Sequence, residues 1–179
     1  MPRVMGLDLA AEQSGVALPD DTTTAIRAPK ARGKVRTLAD DLDRMDRVEK
    51  SFRALLAVHR PHLLVVEDYA NGIKGNPVHR LAEIGGLIRL AAYREGVPIA
   101  LVNLMHVKMY ATGDGSATKS QMATAALSRA GLTFATEDEC DAWWIRAMGC
   151  EWAGHPLVTV PKAQREVLQR VKGWPEVTW

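Results

Sequence analysis

Cysteine is scarce in this chain, with only Cys140 and Cys150 among 179 residues. Small proteins held together by disulfides use more cysteines than this. The two cysteines are predicted to lie about three turns apart on one helix, a separation of about 15 Å, which is too far for a disulfide. We therefore expect two reduced thiols, with Cys140 serving as a small buried apolar residue.

Long apolar segments are also absent. No run reaches the roughly 18 consecutive apolar residues of a membrane-spanning helix, and the start, Met-Pro-Arg-Val-Met-Gly, lacks the apolar segment of a signal peptide. We expect a cytoplasmic protein that does not associate with membranes. There is no internal repeat or low-complexity tract, and 179 residues with 47% hydrophobic content suffice for the core of one domain but would be crowded as two.

A strong excess of either charge is absent too, because the formal net charge is only +2. The distribution of charge is more informative than its sum. One basic cluster contains Lys30, Arg32, Lys34 and Arg36, and a second contains Lys162, Arg165, Arg170 and Lys172. Such clusters are typical of phosphate contacts, although solvated surfaces carry them as well.

Hydrophobic periodicity predicts strands alternating with helices, and hence an α/β domain. Three strands come first and are followed by paired strands and helices. The predicted strands are Val4–Asp8, Gly15–Leu18, Thr23–Arg27, Leu63–Glu67 and Val97–Asn103. The predicted helices are Leu38–His59, Val78–Arg94, Lys119–Arg129 and Asp138–Gly149, with a further short helix within Pro161–Lys172.

Acidic residues stand at the ends of two predicted buried strands and at the start of a helix. Asp8 and Glu67 follow apolar runs, and strand alternation places Asp8 on an inward face. Asp138 and Asp141 are three residues apart, on one face of a first helical turn. Because a buried carboxylate needs a partner, their joint placement predicts a divalent-metal site with oxygen ligands from separate elements.

Ordinary structural roles remain open for each acid taken alone. Asp138, with Glu137 and Glu139, could be a first-turn acid that stabilises a helix capped by Thr136. Glu67 could be a turn residue at the end of its strand. The metal site is favoured because three such placements occur together.

The order of several motifs resembles the RuvC family of Holliday-junction resolvases. The resemblance runs from Val4 to about Gly149. It is carried by Gly6-Leu7-Asp8, Ser14-Gly15-Val16-Ala17, Val66-Glu67, Lys108, Thr112-Gly113-Asp114-Gly115-Ser116-Ala117-Thr118-Lys119 and Asp138-Glu139-Cys140-Asp141-Ala142. It implies an RNase H-like fold with a central mixed five-stranded sheet flanked by helices. It also implies a homodimer that nicks paired strands of a four-way DNA junction with divalent metal.

Residue roles follow from the same resemblance. Asp8, Glu67, Asp138 and Asp141 stand at the catalytic, metal-binding positions, with Mg²⁺ expected and Mn²⁺ expected to substitute. Lys108 and Lys119 stand at the lysine positions near the scissile phosphate, and Lys119 opens a helix whose N–H groups suit an anion. Further expected DNA contacts are Tyr69, Lys74 and Arg80, in or beside a loop rich in glycine.

Two expectations concern the rest of the chain. Residues 1–150 would form the nuclease domain, and 151–179 a C-terminal extension packed on or beside it. Helix Val78–Arg94 carries an apolar stripe with small residues beside it, including Gly85, and is expected to form a two-fold interface. The alternative is that this stripe packs on its own sheet.

Other functions remain open. An RNase H-like nuclease acting on flaps, other branched DNA or RNA–DNA hybrid would share these acids, and a non-catalytic junction-binding protein would share the fold. Gly6-Leu7-Asp8 with Ser14-Gly15 is also similar to the phosphate loop of actin-like ATPases and sugar kinases, but that architecture duplicates the domain and needs a far longer chain. No nucleotide-binding Gly-x-x-x-x-Gly-Lys-Ser/Thr loop is present.

Overall fold

A five-stranded mixed sheet forms the centre of the molecule. The computed structural model describes residues 1–29, 36–68 and 76–179, with backbone only at 76–78. The strands are β1 (Val4–Asp8), β2 (Gln13–Ala17), β3 (Thr23–Arg27), β4 (Leu63–Glu67) and β5 (Ile99–Val102), in the order β3-β2-β1-β4-β5. β1, β2 and β3 form an antiparallel meander, whereas β1, β4 and β5 are parallel. The predicted α/β class and mixed five-stranded sheet are confirmed.

Helices cover both faces of the sheet. They are α1 (Leu38–His59), α2 (Asn76–Arg94), α3 (Leu104–Thr112), α4 (Lys119–Ala130), α5 (Glu137–Trp152) and α6 (Lys162–Arg165), followed by a 3₁₀ turn at Glu166–Arg170. Alternation along β1 divides the core, because Val4 packs with α3, α4 and α5 while Met5 and Leu7 pack with α1 and α2. None of the helices in the described ranges is long and apolar enough to cross a membrane.

Two glycines allow α5 to lie directly on the sheet. A Cβ atom on Gly6 would stand 2.3 Å from the carbonyl oxygen of Ala142 in α5. A Cβ atom on Gly15 would stand 2.0 Å from the carbonyl oxygen of Asp138, at the first turn of the same helix. No side chain fits at either position. The glycines of β1 and β2 therefore set the distance between the sheet and the start of α5.

Most predicted elements are present, with shifted ends. The second strand begins at Gln13 rather than Gly15, and the last strand ends at Val102 rather than Asn103. Asn103 instead caps α3 by accepting a hydrogen bond from the Met105 backbone N–H at 2.8 Å. Helix α3 itself was not predicted. Thr136 caps α5 as expected. Cys140 and Cys150 are buried free thiols, as predicted.

The apolar stripe of α2 is used inside the chain. Ile84, Ile88 and Ala91 are buried with β1 and β4 in the core that α1 shares. These three residues follow the alternative in which the stripe packs on its own sheet, and a two-fold interface through this helix stays a prediction. Gly85 is buried as well.

The C-terminal extension packs on the α3–α5 side of the molecule. Val158, Val160, Val167 and Val171 belong to the same buried cluster as α5. Trp152 and Trp174 stack with ring centroids 4.9 Å apart. The division into a domain at 1–150 and an extension at 151–179 stays a prediction.

Candidate active site

The site begins with two carboxylates at the adjoining ends of parallel strands. β1 and β4 are parallel, and the last residues that pair between them are Leu7 and Val66. Asp8 and Glu67 come next in their strands, so they lie side by side at the same edge of the sheet. When Asp8 is protonated, it donates a hydrogen bond to the carboxylate of Glu67. Asp8 is only 8% exposed. Parallel strands that end together explain why two acids so distant in sequence meet.

The first turns of α5 bring two further carboxylates to this edge. Asp138 lies in the first turn and Asp141, which is 5% exposed, in the next. The close approach of α5 to Gly15 fixes this placement. Asp8 lies near enough to Asp138 and Asp141 for their charges to act on one another. All four acids predicted as metal ligands are therefore in one region.

Burial and mutual repulsion disfavour ionisation of this cluster. Burial raises the pKa of Asp8 well above its ordinary value, and Glu67 and Asp138 raise it further. Burial likewise raises the pKa of Glu67. Burial first, and then the charge of Asp8, raise the pKa of Asp141 to about 6. The cluster therefore holds more negative charge than its surroundings stabilise.

Two lysines supply opposing charge. Lys119 Nζ lies 3.1 Å from Glu137 Oε2 and 3.8 Å from Asp138 Oδ1. Burial acts to lower the pKa of Lys119, but the hydrogen bond to Glu137 and the nearby aspartates outweigh it, and the pKa is raised. The charge of Lys108, on α3, acts to lower the pKa values of Glu67 and Asp141, although burial keeps both raised. Both lysines predicted from the sequence therefore face the acids.

A second layer of polar contacts was not predicted. Gln13 donates a hydrogen bond from Nε2 to Asp138 Oδ2 at 3.3 Å, and Arg27 donates from Nε to Gln13 Oε1 at 2.9 Å. Asp138 is thus held by Gln13 on one oxygen and by Lys119 on the other. Strand alternation contained the signal, because it places Gln13 on the same face as Gly15.

The remaining predicted DNA contacts are distributed unevenly. Tyr69 and Lys74 lie outside the described residues, as do Lys30, Arg32 and Lys34 of the first basic cluster. Arg80 is half-buried near the start of α2. In the second basic cluster, Arg165 pairs with Glu151 at 3.1 Å.

The donor set fits a divalent cation, although the carboxylates do not form a finished ligand shell. In the ranges that the structure describes, no group of three or more His, Cys, Asp or Glu side chains is arranged so that it could hold a metal ion as it stands. The acids offer only hard oxygen donors, and a cation would relieve their mutual repulsion and would draw them together.

Comparisons with known proteins agree on one family. The profile described as "Crossover junction endodeoxyribonuclease RuvC" matches residues 4–142. The crossover junction endodeoxyribonuclease RuvC of Rhodococcus opacus (strain B4) is 32% identical over 129 residues, which cover 71% of this chain and 68% of that protein. The protein of the same name from Thermobifida fusca (strain YX) is 31% identical over 124 residues, which cover 68% of each.

Two solved structures have the same fold. Thermus thermophilus RuvC matches with a TM-score of 0.63 at 20% identity, over 88% of this chain and 99% of the other. T. thermophilus RuvC in complex with a Holliday junction substrate matches with a TM-score of 0.69 at 18% identity, over 89% and 99%. These two matches support the predicted RNase H-like architecture.

Proposed function

The chain belongs to the RuvC family of crossover junction endodeoxyribonucleases, and we propose that Asp8, Glu67, Asp138 and Asp141 are the residues with which it cuts four-way DNA junctions. The observation that carries this assignment is the convergence of four acids from β1, β4 and α5 at one edge of the sheet. Burial, followed by neighbouring carboxylates, raises the pKa values of Asp8, Glu67 and Asp141, so the cluster holds more negative charge than Lys108 and Lys119 offset. A divalent cation together with a DNA phosphate would complete it.

The four acids would hold divalent metal, and Mg²⁺ is the ion that we propose because every donor is a hard oxygen. Mn²⁺ should substitute. When bound, such ions activate the attacking water and stabilise charge on the leaving 3′ oxygen. In this chain Asp8 lies centrally, between Glu67 on one side and the α5 acids on the other.

Lys119 and Lys108 would bind the scissile phosphate. Lys119 opens α4 beside Asp138, with its side chain half exposed, so its ammonium can exchange Glu137 for a phosphate oxygen. Gln13 is proposed as a positioning residue, because it fixes one oxygen of Asp138 while the other oxygen, which faces Lys119, would turn toward a cation. Tyr69, Lys74 and Arg80 stay proposed DNA contacts.

The substrate is tested by comparing cleavage of a mobile four-way junction, a flap, an RNA–DNA hybrid and a plain duplex in Mg²⁺. We expect paired nicks in strands of like polarity on the four-way junction and little cutting of the others. Faster cutting of the flap or hybrid would favour a different RNase H-like nuclease. Tight junction binding without cleavage would favour a binding protein. An enzyme with this substrate would act in the cytoplasm, or in that of the host if a phage encodes it.

Lys119→Ala should lower turnover more than affinity. If Lys119 stabilises charge that develops on the phosphate, we expect the single-turnover cleavage rate to fall about 10²-fold while the junction Kd changes by less than about threefold. Lys50→Ala, at an exposed lysine of α1 that pairs only locally with Asp46, is the matched control and should leave both values unchanged. A loss confined to binding would make Lys119 a positioning contact instead.

We also propose that the enzyme is a homodimer, since a two-fold enzyme matches paired nicks in a junction of approximate two-fold symmetry. The exposed side of α2 is the part of this helix that the core leaves available. It carries Leu90, which is 44% exposed, and Tyr93, which is 77% exposed. Because Gly85 is buried, a charged residue there would disturb the protomer itself and would not test the interface.

Leu90→Arg should therefore convert a dimer into a folded monomer that no longer cuts both strands together. Sedimentation at micromolar concentration measures the change. Leu127→Arg, on α4 at the opposite face of the sheet and 54% exposed, is the control and should leave the dimer intact. Wild-type protein that sediments as a monomer, both free and bound to a junction, would contradict the proposal.

A further inference from the structure

A polar cavity of about 370 Å³ lies next to the acidic cluster and is not part of it. Its walls include three guanidinium groups, those of Arg27 from β3, of Arg36 just before α1 and of Arg44 within α1. Gln13, which holds Asp138, also lines it. Glu12 is the carboxylate among its lining residues. The cavity thus adjoins the proposed cleavage site through a shared side chain.

Arg44 is the most informative residue of this cavity because it is buried, at 1% exposure. Its Nη2 lies 2.6 Å from Glu83 Oε2 and 3.6 Å from Asp41 Oδ1. Its Nε and Nη1 are buried and, in the described part of the chain, have no hydrogen-bond acceptor. Buried guanidinium N–H groups without an acceptor are destabilising, so a native protein usually satisfies them.

Arg36 repeats the pattern at the edge of the cavity. Its Nε lies 2.5 Å from Asp41 Oδ1, whereas its Nη2 is buried without an acceptor among the described residues. Asp41 and Glu83 therefore pair with one nitrogen of each guanidinium group and leave Arg36 Nη2 and Arg44 Nε and Nη1 without an acceptor among the described residues. Water could accept these hydrogen bonds, but a bound oxyanion would accept them and would also add to the negative charge that Asp41 and Glu83 supply to Arg36 and Arg44.

We propose that this cavity binds a phosphate oxyanion, and that its source is the DNA backbone beside the scissile phosphate. A tetrahedral phosphate has enough acceptor lone pairs for the unpaired nitrogens of Arg36 and Arg44, and arginine suits such multiple contacts. Because Gln13 touches both the cavity and Asp138, an occupied cavity places the cut strand against the acids. The choice of DNA as the source rests on the proposed function, whereas oxyanion binding itself does not.

The first experiment uses the full-length protein and inorganic phosphate alone. Phosphate should raise the Tm of the wild type and of Arg47→Gln, but not that of Arg36→Gln. Arg47 is an exposed arginine of α1 outside the cavity wall and is the matched control. Asp41→Asn removes the same ion pair as Arg36→Gln but keeps the guanidinium, so it should retain the response. Arg44→Gln, checked for folding by circular dichroism, should lose it.

The second experiment measures junction binding in Ca²⁺, with single backbone phosphates near the cut replaced in turn by neutral methylphosphonates. Replacement at one position should weaken junction binding by the wild type about tenfold and should not weaken binding by Arg36→Gln any further. The dependence of the Arg36→Gln binding constant on salt concentration should be shallower than that of the wild type by about one phosphate contact. A response to free phosphate without any such position would show an oxyanion site but overturn the DNA source. No response in either experiment would overturn the site and indicate water. Neither readout depends on cleavage, so failure of the proposed function would appear separately.

Discussion

Asp8→Asn is expected to reduce junction cleavage by at least about 10³-fold while junction binding persists. The substitution removes the central carboxylate charge of the cluster and leaves Lys108 and Lys119 in place. Cleavage is measured under single-turnover conditions in Mg²⁺, and binding is measured in Ca²⁺. Asp46→Asn, on the exposed side of α1, is the control and should cut normally. Activity above a few per cent of wild type, in a folded variant, would remove Asp8 from the metal site.

The same variant should be more stable than the wild type when metal is chelated. Because burial raises the pKa of Asp8, the folded protein is more stable when this carboxyl group is protonated. This contribution to the free energy of unfolding is complete below the pKa of the unfolded chain, about 3.9, and is lost as the pH rises through the raised pKa of the folded protein. The amide that replaces the carboxyl group stays neutral and can still donate to Glu67. We therefore expect a higher Tm for Asp8→Asn at pH 7 in EDTA, and a smaller difference at pH 4. A lower Tm at pH 7 would contradict the charge argument.

Gly15→Ala is expected to lower the free energy of unfolding by about 3 kcal/mol and to abolish most cleavage. The added Cβ would lie 2.0 Å from the carbonyl oxygen of Asp138 and 2.3 Å from its carbonyl carbon. These are backbone atoms, so the first turn of α5 must move away from the sheet, and Asp138 and Asp141 move with it. Denaturant unfolding measures the first effect, and cleavage in Mg²⁺ measures the second.

Gly86→Ala is the matched control for that substitution. Gly86 lies within α2, and a Cβ atom there would meet nothing within 4 Å. Alanine should therefore stabilise the helix by about 0.5–1 kcal/mol in denaturant unfolding. Cleavage is not compared for this variant, because Gly86 is exposed on the side of α2 that we propose as the dimer interface. Equal stability of Gly15→Ala and the wild type would show that α5 does not depend on this close contact.

Local pattern was sufficient for much of the fold and for the four acids. Asp8 and Glu67 end apolar runs whose length and β-branched content are typical of buried strands, and Asp138 and Asp141 share a helical face by spacing alone. α3 was missed because one polar residue alone separates its apolar residues from the apolar run of β5. Only Asn103 marks the change, and one capping residue is a weak signal.

Periodicity and capping depend on neighbours along the chain. They were therefore enough to locate each strand and most helices, and to show which residue types stand at their ends. The tertiary structure alone decided which ends meet. It placed β1 beside β4, turned the stripe of α2 inward, joined Gln13 to Asp138 and gathered Arg27, Arg36 and Arg44 around one cavity. These contacts depend on strand order and helix packing between distant segments, for which a single sequence carries no local periodicity.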